Sequence, residues 1–484
     1  MQGRTIGELA HYFKLDGLKL ANAEKYIRHL VIDSRKVKKG DVYVAYQGAS
    51  FDGHAFIEDA IKQGAIAIIC EHSVNYSVST LVVPSIREKL AQLAMWFYPT
   101  SDKLNIIATT GTNGKTSIVC LYAQLATLLN ESCGILGTIG NGLWPSLKPA
   151  ARTTDNSLAL WQNLSVLAKK TRQVAMEVSS HALDQKRLTG LKLNCVIWSN
   201  LSHDHLDYHR TLECYFRAKL KLFHDYDYDY AVINYDNNWG KKILASIKEK
   251  KTYSYSICSK DADLYVEVLM QKKIGYRVCL HFNGQQVPTE INLVGQFNLE
   301  NVAAVVCSYL AKGTSLKLIA SRLPQLKPVT GRMEMIKPEN RPFIVLDYAH
   351  TPDALEKALV TIRSQMNAKQ KLWCVFGCGG DRDVSKRAIM ASIAEKLSDM
   401  IIATSDNPRT EAQELIFQDM KEGFQGLKPI LFIESRRSAI EYTLTNANED
   451  DWVLLAGKGH ERYQEINGDF LLFDEKEIID SLSQ

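Results

Sequence analysis

Short apolar runs alternate with helix-spaced stretches along most of the chain. Near the start, residues 41–46 and 65–70 read as strands, with helical spacing across 55–63 between them. The next apolar run is 104–108, followed by a helix-like stretch over 117–129. Runs at 174–176, 195–198 and 230–233 continue the series, again separated by helix-like segments. Such alternation predicts a parallel sheet with helices on both faces. Between about 262 and 294 the texture changes, and residues 275–282 and 286–293 flank Asn283-Gly284. That dipeptide suits a tight hairpin turn, so an antiparallel appendage is expected there. Alternation then resumes, with strand candidates at 343–346, 372–376, 400–404 and 453–456.

Tyr98-Pro99-Thr100-Ser101 reads as a linker, and residues 325–328 mark a second boundary. The expected organisation is α/β in three domains, 1–98, 99–328 and 329–484. The central domain would hold a phosphate-loop parallel sheet with the antiparallel appendage, and the last a Rossmann-like sheet. Composition changes this picture little. The chain has 484 residues, 46% hydrophobic and 23% charged, with net charge +4, which gives no basis for a nucleic-acid or anionic-membrane partner. No apolar stretch approaches the length of a membrane span, and the N-terminus lacks the apolar core of a signal peptide. The ten cysteines are scattered, mostly inside apolar runs, as expected of buried thiols in a reduced compartment. Cys374 and Cys378 lie near each other, but no second pair completes a zinc pattern. A cytoplasmic monomer is the expectation.

The chemistry concentrates where strands end. Thr109-Thr110-Gly111-Thr112-Asn113-Gly114-Lys115-Thr116 follows one apolar run and opens a helix. Gly111 and Gly114 would let the backbone N–H groups converge on a phosphate, Lys115 would reach the terminal phosphates, and Thr116 could ligate Mg²⁺. The generic template has glycine where Thr109 stands. Glu177 closes another run, and Asn200-Leu201-Ser202-His203-Asp204-His205-Leu206-Asp207 closes a third. Glu177 is a hard-oxygen candidate for Mg²⁺, and His205 a softer one. Lys219 alone reads as an ordinary helix lysine; Arg332 reads as readily as an ordinary arginine as it does as a phosphate or ribose clamp; Asn298 and Asn301 could simply cap a helix. In the last third, 347–350, 377–383, 406–409 and 457–461 each follow a strand candidate, so they read as one site at the carboxyl edge of a sheet. Arg382 and Arg409 near one cleft argue for an anionic substrate group.

Together these motifs resemble the Mur ligases, the ATP-dependent amino-acid ligases of peptidoglycan synthesis. The resemblance runs nearly end to end. It includes Asp33-Ser34-Arg35, Asp52-Gly53-His54, residues 110–116, 177–181 and 204–209, Lys219, 295–301, 331–334, 347–353, 377–387, 406–409 and 457–461 with Tyr463-Gln464. It implies ATP and Mg²⁺ as cofactors. The nucleotide would lie on Gly111, Thr112, Asn113, Gly114, Lys115, Thr116, Asn298, Asn301, Arg332 and Asp347. The metal would lie on Thr116, Glu177, His205 and Lys219, the lysine as a carbamate; Lys115, Glu177, His205 and Lys219 would be the catalytic set. UDP-MurNAc-L-Ala-D-Glu would be held by Ser34, Thr153, Thr154, Ser179, Gln185 and Arg187, with Arg152 standing where relatives often carry Asn. The form Asp406-Asn407-Pro408-Arg409 goes with meso-diaminopimelate in this family, held by Arg382, Asp406, Asn407, Arg409, Gly457 and Glu461. Lysine, with no second carboxylate, would leave a buried arginine unpaired, at a cost on the order of several kcal/mol. Two rivals are another ligase of the same superfamily and a non-catalytic nucleotide switch, which would not need Glu177, His205 and Lys219 together.

Overall fold

Strand Asn105–Thr110 lies inside an eleven-stranded sheet. The strands run, across the sheet, Gln285–Ile291, Tyr276–Phe282, Leu264–Gln271, Thr252–Ser256, Tyr228–Asn234, Leu193–Trp198, Asn105–Thr110, Gln173–Glu177, Gly134–Gly137, Gly140–Leu143 and Ser146–Lys148. The stretch from Leu264–Gln271 to Gly134–Gly137 is parallel, and antiparallel pairs finish both edges. Burial on both faces explains the uninterrupted apolar runs of the central strands. Helices Lys115–Leu128 and Gln296–Ala311 are apolar nearly all round and buried along most of their length, with Tyr122 and Tyr309 stacked at 4.6 Å between them. The expected hairpin is present, and it extends this same sheet. Asn283 and Gly284 both take positive φ, 48° and 74°, as the tight turn requires.

The computed structural model describes residues 3–15, 22–48, 51–73, 76–101, 103–150, 152–272 and 274–482. The chain divides into two units. The first comprises Met1–Leu104, Thr154–Arg172 and Gln185–Leu191; the second comprises Asn105–Thr153, Gln173–Asp184 and Lys192–Gln484. In the first, four parallel strands lie in chain order: Leu30–Val31, Val42–Val44, Ala67–Cys70 and Ser79–Val82. Helix Ser157–Leu167, from mid-chain, packs in this unit beside Ile86–Phe97.

The second unit also holds a six-stranded sheet, ordered Glu334–Ile336, Phe343–Asp347, Trp452–Ala456, Leu372–Phe376, Met400–Ala403 and Ile430–Phe432. All but the first strand are parallel. The last long strand, Trp452–Ala456, inserts between Phe343–Asp347 and Leu372–Phe376, so the carboxyl ends of these strands lie side by side. Ligands of open α/β sheets bind at such edges. A short hairpin, Tyr463–Ile466 with Asp469–Leu472, follows.

Arg387 anchors the loop after Leu372–Phe376. Its buried guanidinium donates twice to Glu411 (2.6 and 2.7 Å), to Asp419 (2.7 Å) and to the Gly379 carbonyl (3.2 Å). Removing one partner of such a network strands the others. Arg387→Met is expected to destabilise the protein by about 3 kcal/mol, seen in calorimetry as a lower unfolding temperature. An unchanged temperature would show that the network contributes nothing net.

Candidate active site

The backbone that leaves Asn105–Thr110 turns through Gly111 (φ 150°) and Gly114 (φ 86°). A Cβ at Gly111 would collide with Ser199 Oγ, and one at Gly114 would press on Asn301 Oδ1. Lys115 folds back over this loop, its Nζ donating to the carbonyls of Gly111 (2.9 Å) and Thr112 (2.7 Å). Thr116 Oγ1 donates to Glu177 Oε2 at 2.9 Å and accepts from Arg332 at 3.1 Å. Glu177 ends the neighbouring strand, opposite Thr109 in register. It also accepts from the Thr138 backbone N–H (2.7 Å) and hydroxyl (3.2 Å). Lys219, buried on helix Leu212–His224, donates to the Gly111 carbonyl at 2.7 Å, its Nζ 4.5 Å from the Tyr215 ring centroid. Burial, reinforced by the charge of Lys115, pushes the Lys219 amine well below its usual pKa. A lysine that reads as unremarkable in sequence therefore sits inside the loop's own hydrogen-bond system.

His205 has positive φ (56°), its Nε2 3.3 Å from Asp204 Oδ2 and its ring edge-on to His181. Burial lowers its pKa to about 3, leaving a neutral imidazole at neutral pH. Asn301 lies against Gly114, and its amide donates to Asn298 Oδ1 (3.3 Å). Neither asparagine caps the helix: Gly295 holds the cap position, and Asn298 donates to the Val294 carbonyl at 2.8 Å. The oxygens of Thr116 and Glu177 are hard donors set side by side, which suits Mg²⁺; Lys219 as a free amine adds no oxygen.

Loops of the six-stranded sheet reach this centre. Asn113 Nδ2 donates to Asp353 (2.8 Å), His203 Nε2 meets Asp383 (3.1 Å) and Ser385 (3.0 Å), and Lys386 Nζ stands 3.7 Å from Asp204. Arg332 lies over the Tyr348 ring at 4.5 Å. Asp347 accepts from the Met333 N–H (2.7 Å); burial raises its pKa to about 6, against the opposing charge of Arg332.

The four motifs at the sheet's carboxyl edge do converge. Lys458, fully buried between two glycines of positive φ, ties the 406–409 motif to its own. Its Nζ donates to Asn407 Oδ1 and the Tyr463 carbonyl (2.9 Å), and lies 3.3 Å from Asp406 and 3.4 Å from Glu461. Asn407 Nδ2 and Tyr348 OH donate to the two oxygens of Glu461, at 3.1 and 3.2 Å. Gly457 approaches Asp406 closely: a Cβ there would stand 3.3 Å from Oδ2. Arg382 is exposed. Arg409 corrects one expectation. It is not an arginine left unpaired without a ligand, because Nε donates to Glu465 (2.9 Å) and Nη1 to the Gly380 carbonyl (2.7 Å). Lys458 and Glu465 escaped the sequence reading. For Lys458 a signal existed, a cation between two glycines just past a strand; for Glu465 none did.

The remaining candidates divide between the units. In the first, Ser34 is buried at the start of a 3₁₀ turn capped by Asp33. Arg187 there donates to Gln185 Oε1 (2.7 and 3.1 Å) and to the Thr154 carbonyl (2.7 Å). In the second, Thr153 Oγ1 accepts from Thr138 (3.1 Å), Ser179 Oγ accepts from the Ala182 N–H (3.2 Å), and Arg152 is exposed. Cys374 and Cys378 are buried, and burial pushes the Cys378 thiol up to about 12. Among the described residues, no helix is long and apolar enough to cross a membrane.

Three family descriptions match successive parts of the chain: "Mur ligase family, catalytic domain" over 26–98, "Mur ligase middle domain" over 109–309 and "Mur ligase, glutamate ligase domain" over 331–459. A relative from Pseudomonas aeruginosa, UDP-N-acetylmuramoyl-L-alanyl-D-glutamate–2,6-diaminopimelate ligase, is 41% identical over 455 residues, 93% of each chain. A solved structure of an enzyme of that name is 36% identical, with TM-score 0.64 over 98% of this chain and 99% of that one. MurF from Acinetobacter baumannii shares the fold alone, at 18% identity and TM-score 0.71 over 100% and 99% of the two chains. With phosphate loop, neighbouring carboxylate and third-sheet motifs all in place, this chain belongs to the Mur ligase family.

Proposed function

We propose that the chain joins meso-2,6-diaminopimelate to UDP-MurNAc-L-Ala-D-Glu, converting ATP to ADP and phosphate, as a monomeric cytoplasmic enzyme of peptidoglycan precursor synthesis. The observation that carries the reading is the presence of two centres within one unit whose surrounding loops touch, through Asn113–Asp353 and Arg332–Thr116. One is the buried Lys115–Thr116–Glu177–Lys219 cluster, and the other is the Asp406–Asn407–Arg409–Lys458–Glu461 pocket. The relatives' names support it, and Arg409 is the group in that pocket suited to a second carboxylate.

In this reading the N–H groups of Gly111, Thr112, Asn113 and Gly114 surround the phosphates, and Lys115 exchanges its loop carbonyls for the γ-phosphate. Arg332, Asp347, Asn298 and Asn301 hold the nucleoside side of ATP. Thr116, Glu177, neutral His205 and carbamylated Lys219 would hold Mg²⁺, which when bound supplies positive charge at the transferring phosphoryl group. Ser34, Thr153, Thr154, Ser179, Gln185 and Arg187 hold the UDP-muramoyl dipeptide. A D-Glu carboxylate oxygen attacks the γ-phosphorus and ADP leaves. The amine of diaminopimelate then attacks the acyl phosphate carbon, phosphate departs and the amine loses a proton. Arg382, Asp406, Asn407, Gly457 and Glu461 position that amino acid, with Arg409 on its distal carboxylate. The protein's part is positioning and charge stabilisation.

Phosphate release from ATP should require both UDP-MurNAc-L-Ala-D-Glu and meso-diaminopimelate, and L-lysine should support little. Release with lysine alone would keep the ligase and overturn the amino-acid assignment; release with neither would overturn the ligase. Arg409→Ala should lose about a hundredfold or more in kcat/KM for diaminopimelate while the KM for ATP stays unchanged; intact diaminopimelate kinetics would remove Arg409 from the pocket. Because burial favours the neutral amine, Lys219 should take up ¹³C-bicarbonate as a carbamate visible by NMR. A signal that persists in Lys219→Ala would assign the carbamate elsewhere.

A further inference from the structure

Glu465 offers its carboxylate to Arg409. Its Oε2 takes Arg409 Nε at 2.9 Å, while Nη1 is held by the Gly380 carbonyl, so among the described residues Nη2 is the guanidinium nitrogen without a hydrogen-bond partner. The pairing is built in by backbone. The Arg409 N–H donates to the Glu465 carbonyl (3.1 Å), the Asn467 N–H donates to the Arg409 carbonyl (2.7 Å), and Arg409 bridges Ile466 in parallel register. The Glu465 N–H in turn donates to Asn407 Oδ1 at 2.9 Å, inside the same pocket. Both side chains are largely covered, 20% exposed for Arg409 and 24% for Glu465, so water screens the pair less than a surface pair.

Resting on the diaminopimelate reading, we propose that Glu465 is a built-in competitor for the substrate's distal carboxylate and sets how sharply the pocket discriminates diaminopimelate from lysine. A carboxylate binding Arg409 through Nε and Nη2 must displace Glu465. One binding through Nη2 alone must lie beside a like charge. Either route weakens diaminopimelate binding. Lysine brings no carboxylate and leaves the Arg409–Glu465 pair intact, so it escapes the penalty an unpaired arginine would impose. Glu465 thus lowers affinity for the substrate and shelters the competitor.

Glu465→Gln removes the charge and keeps an oxygen for Arg409 Nε. The KM for meso-diaminopimelate is expected to fall about tenfold, the ratio of kcat/KM for diaminopimelate over lysine to rise by a similar factor, and the KM for ATP to stay constant. In an Arg409→Ala background the same change should have no effect, because the competition needs the arginine. An unchanged or higher KM for diaminopimelate in Glu465→Gln, alongside a wild-type enzyme that uses diaminopimelate, would overturn this inference alone; a higher KM would mark Glu465 as a partner of the substrate's ammonium. A wild-type enzyme inactive with diaminopimelate would overturn both this inference and the function it rests on.

Discussion

The hydrogen bond from Thr116 to Glu177 joins the start of a helix to the end of a neighbouring strand, and much of the centre hangs on that short link. It exists because Gln173–Glu177 lies beside Asn105–Thr110 with Thr109 opposite Glu177. A slip of one residue would point the carboxylate to the other face of the sheet. Gly137 enforces the same arrangement from the far side, since a Cβ there would strike Glu177. Glu177 then takes Thr138, Thr138 takes Thr153, and Thr116 takes Arg332 from the neighbouring sheet. One register carries the phosphate loop, a carboxylate and an arginine into contact.

Around that link the protein buries charge in quantity. Lys219, Lys386, Arg387 and Lys458 are each withdrawn from water, Lys115 is half-buried, and each is answered by carbonyls or carboxylates. Burying an unanswered ion is prohibitive, so every such residue constrains its neighbours. Lys219 differs chemically: its Nζ donates to the Gly111 carbonyl beside a tyrosine ring, and burial with the charge of Lys115 outweighs Asp204, so its amine loses charge readily. A neutral amine is a nucleophile, whereas the fully countered Lys458 is a fixed cation.

Four strands of the six-stranded sheet were legible to within about a residue because parallel strands covered on both faces read as unbroken apolar runs, as 372–376 does. The motifs that follow them were legible for the same reason, since the apolar run announces where the loop must open. Ile430–Phe432, Glu334–Ile336 and the glycine-rich pair Gly134–Gly137 and Gly140–Leu143 are too short or too mixed to show a period. Side chains whose meaning comes from tertiary placement were harder still. Lys219 carries no local signal and stood out only through family resemblance, while Glu465 lies on a half-exposed hairpin strand where an acidic residue is ordinary.

The two centres treat their arginines in opposite ways, and the difference follows from what each must exchange. Arg332 is held by stacking on Tyr348 and by one hydroxyl, with the buried Asp347 carboxyl as its nearby counter-charge. An anion arriving there meets a guanidinium that makes no hydrogen bond to a carboxylate among the described residues. Arg409 is held by a carboxylate and a carbonyl, contacts that fix its plane and cancel its charge. Preorganisation and attraction are thus separated: the first arginine offers strong attraction with modest restraint, the second strong restraint with weakened attraction. A nucleotide that every cycle must bind gains from the first arrangement. On the proposed function, an amino acid that must be chosen, rather than merely captured, depends on what it can offer in place of the resident partner, here the Glu465 carboxylate on Arg409.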